Sequence, residues 1–135
     1  MENFEWSEKY SVNVKQIDEQ HKKLIGIVAQ LNTAMRQGKG KDIIGKVLEE
    51  LAKYTITHFK DEERIMKSAG YPDFEAHQTK HQWMNDRVAQ LYRDYQDGKV
   101  TLSIEVMNFL QSWIDKHIMG TDKQYAPFLN SKGIF

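Results

Sequence analysis

Apolar residues recur at helical spacing in four long segments of this chain, with polar residues filling the positions between. The first stripe runs Leu24, Ile25, Val28, Leu31 and Met35, with His21 on the same face. The second reads Ile44, Val47, Leu48, Leu51, Thr55, His58, Glu62, Ile65 and Met66. The third reads Phe74, His77, His81, Met84, Val88, Leu91 and Tyr95, and the fourth Val106, Phe109, Leu110, Trp113, Ile114 and His117. This pattern predicts helices over about 19–37, 41–68, 73–97 and 101–119. An arm over 1–17, carrying Phe4, Trp6, Tyr10, Val12 and Val14, is expected to lie extended on them. Asp18 is the expected N-cap of the first helix. Reversals fall at Gly38-Lys39-Gly40, at Gly70-Tyr71-Pro72 and at Asp97-Gly98, while Gly120 is expected to end the fourth helix. A tail over 120–135 carries a short last helix or turn. Long amphipathic helices joined by short connections predict one all-α domain over 1–135, an antiparallel up-down-up-down four-helix bundle.

All five histidines fall on these apolar stripes, and the reversals bring them to one level. At about 1.5 Å per residue, His21 and His58 each lie roughly 26 Å along a helix from the first reversal. The pairs His58/Glu62 and His77/His81 both centre about 14–15 Å from the second. From the third, His77/His81 and His117 again lie at matching depth. A lone core histidine is usually a satisfied structural residue. Five of them in one layer with two carboxylates, and no metal, would leave many buried polar atoms without partners.

The spacings also suit ligation. His77 and His81, like His58 and Glu62, are four apart and share a helix face. Asp61 is within reach of that face, and Glu63 is expected to point away. His117 and Asp122 are five apart, about 140° around a straight helix, so they converge only if the backbone breaks, which Gly120 permits. Five imidazoles and two carboxylates are too many for one tetrahedral zinc. They suit two six-coordinate ions with bridging carboxylates, and favour iron among redox metals without excluding zinc, manganese or nickel. Met35, Met66 and Met84 read as plain core.

Composition narrows the field further. Nineteen basic and nineteen acidic residues give a formal charge of zero, with no basic run to bind nucleic acid or an anionic membrane. No apolar stretch approaches the roughly 18 residues of a membrane span, and the N-terminus has no signal-peptide run, so a cytoplasmic location is expected. The absence of cysteine removes disulfides, thiolate ligands and iron–sulfur clusters.

Specific motifs run along nearly the whole length: Trp6-Ser-Glu-Lys-Tyr10-Ser-Val-Asn-Val14, Ile17-Asp-Glu-Gln-His21, His58-Phe-Lys-Asp-Glu62-Glu63, Gly70-Tyr-Pro-Asp-Phe-Glu-Ala-His77, His81, and Trp113-Ile-Asp-Lys-His117-Ile-Met-Gly-Thr-Asp122. As a set they resemble the hemerythrin family, and within it the single-domain bacterial branch, the bacteriohemerythrins. The resemblance implies two irons per chain joined by an oxo or hydroxo bridge. His77, His81 and His117 would ligate one, His21 and His58 the other, with Glu62 and Asp122 bridging. It implies that the two-histidine iron keeps one open position and that dioxygen binds there reversibly. Lys80 stands where some relatives carry glutamate, at a position that is not a ligand.

Residues one turn from the ligands are candidates for an apolar dioxygen pocket: Leu24, Ile25, Phe59, Trp113, Ile114, Ile118 and Met119. The expected role is a non-enzymatic dioxygen carrier, store or sensor, monomeric or a domain of a larger sensor protein. The alternatives are a di-iron oxidase, peroxidase or nitric-oxide-handling enzyme using the same site, and a bundle in which metal only holds the fold.

Overall fold

A computed structural model describes residues 5–39, 41–99 and 104–135. Four long helices carry the architecture: α1 (Lys15–Arg36), α2 (Lys41–Ala69), α3 (Phe74–Gln96) and α4 (Ile104–Lys116). A short α5 (Ala126–Ser131) follows two irregular helical turns, and the described residues contain no strand. Together they form the four-helix bundle that the periodicity predicts. The expected start of the fourth helix at 101 lies outside the described residues.

Helix ends follow local chemistry. At Gly70 the backbone turns left-handed (φ 76°), which costs a residue without Cβ little. Gly70 N–H then reaches Lys67 O and Tyr71 N–H reaches Met66 O, satisfying the last carbonyls of α2. The same left-handed closure follows α1 at Gly38.

The start of α1 differs from expectation. It begins at Lys15 with Val14 as its cap residue, and Val14 supplies no side-chain bond. Asp18 sits inside the first turn instead and reaches back, accepting from Val12 N–H (2.8 Å) and Ser11 Oγ (2.6 Å). A carboxylate there still meets exposed N–H groups and the positive end of the helix dipole, so the signal is real but displaced by a turn. Nor is the arm wholly extended: Glu8–Tyr10 forms a 3₁₀ turn. Its Tyr10, Val12 and Val14 are buried, Trp6 is half-buried, and Phe4 lies outside the described residues.

Two apolar clusters build the interior. The larger includes Leu24, Val28, Leu31, Leu48, Leu51, Met84, Val88, Leu110 and Ile114 in the body of the bundle. A smaller one joins Val12, Val14 and Ile17 to Met66, Tyr71, Tyr125 and Leu129. Each fully buried aliphatic side chain in them is worth about 1.5–3 kcal/mol. Among the described residues nine polar or charged side chains are buried, and seven of them are the five histidines with Glu62 and Asp122.

Candidate metal centre

α1 delivers His21, α2 delivers His58 and Glu62, and α3 delivers His77 and His81. The last two members come from the end of α4, and here the backbone departs from expectation. It does not break at Gly120. Over His117–Thr121 it widens into a π-helical turn, and Asp122 N–H bonds to His117 O five residues back. A turn closed by i→i+5 bonds carries five residues through about one revolution, so His117 and Asp122 fall on one side. Gly120 has no left-handed φ and open space where a Cβ would stand, so the turn makes no special use of it.

All seven predicted residues converge. Two groups of donor atoms form, each with every atom within 4.8 Å of the others: Glu62, His77, His81, His117 and Asp122, and then His21, His58, Glu62 and Asp122. The carboxylates belong to both groups and divide their oxygens between them. Glu62 Oε1 lies 2.9 Å from His77 Nε2 and 3.1 Å from His81 Nε2, while its Oε2 lies 3.1 Å from His58 Nε2 and 3.5 Å from His21 Nε2. Asp122 Oδ1 lies 2.8 Å from His77 Nε2 and 3.0 Å from His117 Nε2, and its Oδ2 lies 3.1 Å from His21 Nε2. Every imidazole therefore turns its Nε2 inward.

Hydrogen bonds behind the rings fix this orientation. Asp61 Oδ2 can only accept, so Gln20 turns its amide N–H₂ toward it (2.8 Å). The Gln20 carbonyl oxygen then faces His58, whose Nδ1–H donates to it at 2.7 Å. With the proton on Nδ1, the Nε2 lone pair points into the cluster. Glu63 does the same for His81, accepting from Nδ1–H at 2.9 Å, and is itself braced by Gln78 Nε2 at 3.0 Å. Both roles escape a reading by periodicity. Glu63 follows a ligand in sequence and does turn aside from the cluster, but onto the back of its neighbour's ring. Asp61, within reach of the face by spacing, supports the site through Gln20. Tyr125 is a further member without a sequence signal: fully buried, its ring centroid is 5.5 Å from that of His77.

Electrostatics in this layer are severe. Burial alone would raise Glu62, but His21, His58, His77 and His81, whose Nε2 atoms lie 2.9–3.5 Å from its oxygens, outweigh it and hold the carboxyl well below the usual range. Burial and the Glu62 charge push Asp122 up, yet His117 and His21 pull it below its ordinary value. Burial pushes His21 and His77 down, and bonds to Asp122 and Glu62 more than reverse it, leaving both at about 9. His58 stays below its ordinary value because burial prevails. Tyr125 is driven up by burial and then by the two carboxylate charges.

Protons alone do not satisfy this layer. His21 Nε2, His58 Nε2, Glu62 Oε2 and both Asp122 oxygens are buried without a hydrogen-bond partner. His81 Nε2 and His117 Nε2 face each other at 3.2 Å, where two lone pairs would repel. Cations resolve both problems. Two donors about 2.1 Å from one ion lie about 3.0 Å apart at right angles and about 3.4 Å apart at tetrahedral angles. Most inward separations here, 2.8–3.2 Å, match the right-angled edges of six-coordination. The donor set fits metal.

Leu24, Ile25, Phe59, Ile114 and Ile118 are buried, and Trp113 is half-buried against His117. Met119 is a correction to the expected pocket: 38% exposed, it lies with Gly120 on the solvent side of the widened turn.

A family model described as the hemerythrin HHE cation binding domain matches residues 12–129. The chain is 33% identical to a bacteriohemerythrin of Stenotrophomonas maltophilia, over 90% of this chain and 78% of that one. It is 32% identical to the bacteriohemerythrin of Methylococcus capsulatus, over 91% and 93%. A crystal structure of wild-type hemerythrin superposes with a TM-score of 0.84 at 34% identity, covering 92% of this chain and 95% of that one. Bundle, buried histidine–carboxylate layer and matched sequence agree: the chain belongs to the hemerythrin family.

Proposed function

We propose that this chain binds dioxygen reversibly at two irons, one held by His77, His81 and His117 and the other by His21 and His58, with Glu62 and Asp122 bridging. The observation that carries the reading is the division of each carboxylate, one oxygen toward each histidine group. A carboxylate that served one ion, or only neutralised charge, has no reason to be shared in this way. Bound there, the iron pair supplies the redox electrons and the coordination position that gas binding needs.

The protein's own part is orientation and exclusion. Gln20 and Glu63 hold the inward lone pairs of His58 and His81, which fixes where metal sits. Leu24, Ile25, Phe59, Ile114 and Ile118, buried on the elements that carry the ligands, would wall the layer with side chains that have no proton to give. Such a wall keeps water and stray protons from the site, and so favours release of the gas over its reduction. Tyr125, buried beside the layer, keeps its proton, because burial and the Glu62 and Asp122 charges raise its pKa.

Metal analysis combined with optical spectra tests the reading. Two irons per chain are expected, with a charge-transfer band that forms when the anaerobically reduced protein meets air and fades under vacuum. Protein from an iron-replete host that holds zinc alone would overturn it. A band that decays with turnover of added reductant, and never returns the gas, would replace binding with oxidase chemistry.

A further inference from the structure

On the outside of the cluster, Lys80, Trp83, Trp113, Lys116, His117 and Thr121 line a shallow cavity of about 200 Å³. Trp113 lies flat on His117, with ring centroids 4.5 Å apart and planes 11° from parallel. Trp83, at the edge, is 50% exposed and meets Phe109 edge-on at 6.4 Å. The Arg87 guanidinium lies over both of those rings, at 5.8 and 5.3 Å from their centroids.

Three cations thus surround an aromatic surface, and among the described residues none of Lys80, Arg87 and Lys116 forms an ion pair. Carboxylates close in sequence are engaged elsewhere. Asp86 accepts from Gln82, Glu63 from Gln78 and His81, and Asp115 from Tyr10. Those bonds draw the carboxylates aside and leave the three cations without a direct carboxylate partner on this face.

Exposed tryptophan with arginine is the composition of an interface anchor, since both bury much contact area while keeping a polar or charged edge. A rim of unpaired lysines selects an acidic partner and speeds the encounter through long-range attraction. The stack beneath adds a second property. From the half-exposed Trp113 to the proposed ligand His117, two rings in van der Waals contact form an unbroken π path.

We propose that this face docks an acidic one-electron carrier protein, and that the Trp113–His117 stack passes its electrons to the irons. The proposal rests on the di-iron reading. Each encounter moves one electron: the carrier is oxidised by one and one ferric ion becomes ferrous. Two reduced carriers, acting in turn, return a diferric pair to the diferrous state that binds gas. One proton enters from solvent if the bridge is oxo and becomes hydroxo.

The test mixes the diferric, iron-loaded protein with a reduced acidic [2Fe–2S] ferredoxin in a stopped-flow spectrometer and follows loss of the ferric band. Lys80→Glu/Lys116→Glu is expected to lower the second-order rate constant at least about tenfold at low salt. That gap should close as ionic strength approaches about 0.3 M, where screening leaves little long-range attraction. Reduction by a small neutral flavin should be unchanged in the same variant. Lys46→Glu/Lys60→Glu alters net charge equally on exposed α2 positions and should change the ferredoxin rate less than twofold. Titration of oxidised ferredoxin into diferric protein, where no electron moves, should show the same tenfold loss in Kd.

Equal effects from the two lysine pairs, or a rate indifferent to both, would overturn the docking face while leaving the iron reading intact. So would a change in self-association of the variant with no change in the ferredoxin rate, which would mark the face as a contact between copies. A chain that takes up no iron overturns both readings together.

Discussion

On one side of the Glu62–Asp122 pair, the crowded one, three imidazoles gather; on the other, the open one, there are only two. His81 and His117 approach to 3.2 Å through their Nε2 atoms, with Phe59 stacked flat on His81 at 3.8 Å and Trp113 on His117. His21 and His58 meet edge to face at 4.8 Å, and Tyr54, the ring stacked beyond His58, is 6.4 Å away. The supports differ as well. An anionic carboxylate, Glu63, holds His81; a neutral amide, Gln20, holds His58; and His21 Nδ1 has no partner. The crowded side is built to fix its geometry. The open side has one imidazole fewer and no carboxylate directly behind its rings.

Removing a shared group is the harshest test of this division. Glu62→Ala should lower iron to fewer than about one per chain, because it takes a donor from both groups and leaves the facing imidazoles unbalanced. His58→Ala removes a donor from the open side alone. It should abolish the spectral response to dioxygen while helicity by circular dichroism stays near that of the parent. If Glu62→Ala retains both irons, the two groups do not share their carboxylates.

The supports give a graded second test. Glu63→Leu and Gln20→Leu should each weaken metal binding by about 10–100-fold in a chelator competition, since ligand orientation is lost. The larger loss is expected for Glu63, whose charge also raises the basicity of His81. An equal loss would mean that orientation matters and the anionic character of the crowded side does not.

Titration separates the sides in the metal-free protein. His77 on the crowded side and His21 on the open side sit at about 9, and His81 is raised, with Glu62 and Glu63 holding it up against burial. A raised histidine stabilises the fold fully below its unfolded value near 6.5, and that stability is lost as pH climbs through the folded value. His58 runs the other way: burial holds it low, so its contribution grows as pH rises toward about 6.5 and is constant above that. Glu62 and Asp122, held low, contribute above about pH 4 and lose that contribution in acid. Above pH 6.5 only the three raised histidines still change, so Tm of the metal-free chain should fall between about pH 6.5 and 9.5. Iron requires neutral imidazoles, so the gap in Tm between loaded and metal-free protein should widen over the same range. A metal-free Tm that rises with pH would show that the carboxylates do not hold these protons.

What can be read from the chain follows from what periodicity encodes. Helical spacing carries facing and depth, so counting residues between glycine-marked reversals places His21, His58, His77 and His81. Hydrogen bonds made sideways carry no such period, which is why Gln20 and Glu63 as ring supports escape it. Asp18 misleads because a carboxylate capping from within the first turn looks in sequence like one preceding it. Val14, the residue at the cap, has no side chain that could announce itself. At His117 and Asp122 the five-residue gap does signal an irregularity, yet a sequence cannot say whether an irregular turn is broken or widened. The glycine nearby suggests a break, and the π turn makes none.

The widened turn yields the mildest prediction, and one specific to the crowded side. If a break at Gly120 brought Asp122 round, a side chain there would cost stability and displace a bridging carboxylate. In the π turn Gly120 is exposed, has no left-handed φ, and has nothing within 4 Å of the place a methyl group would take. Gly120→Ala should therefore stabilise the fold by about 0.4–1 kcal/mol, chiefly by restricting the unfolded chain. That corresponds to a rise in Tm of about 1–4 °C for a chain of this size. Iron content and the spectrum of the loaded protein should not change, because the i→i+5 bond from Asp122 to His117, and no glycine, sets the convergence. A loss of iron in Gly120→Ala would mean that the turn needs the conformational freedom of glycine after all, and that the crowded side owes its geometry to a hinge.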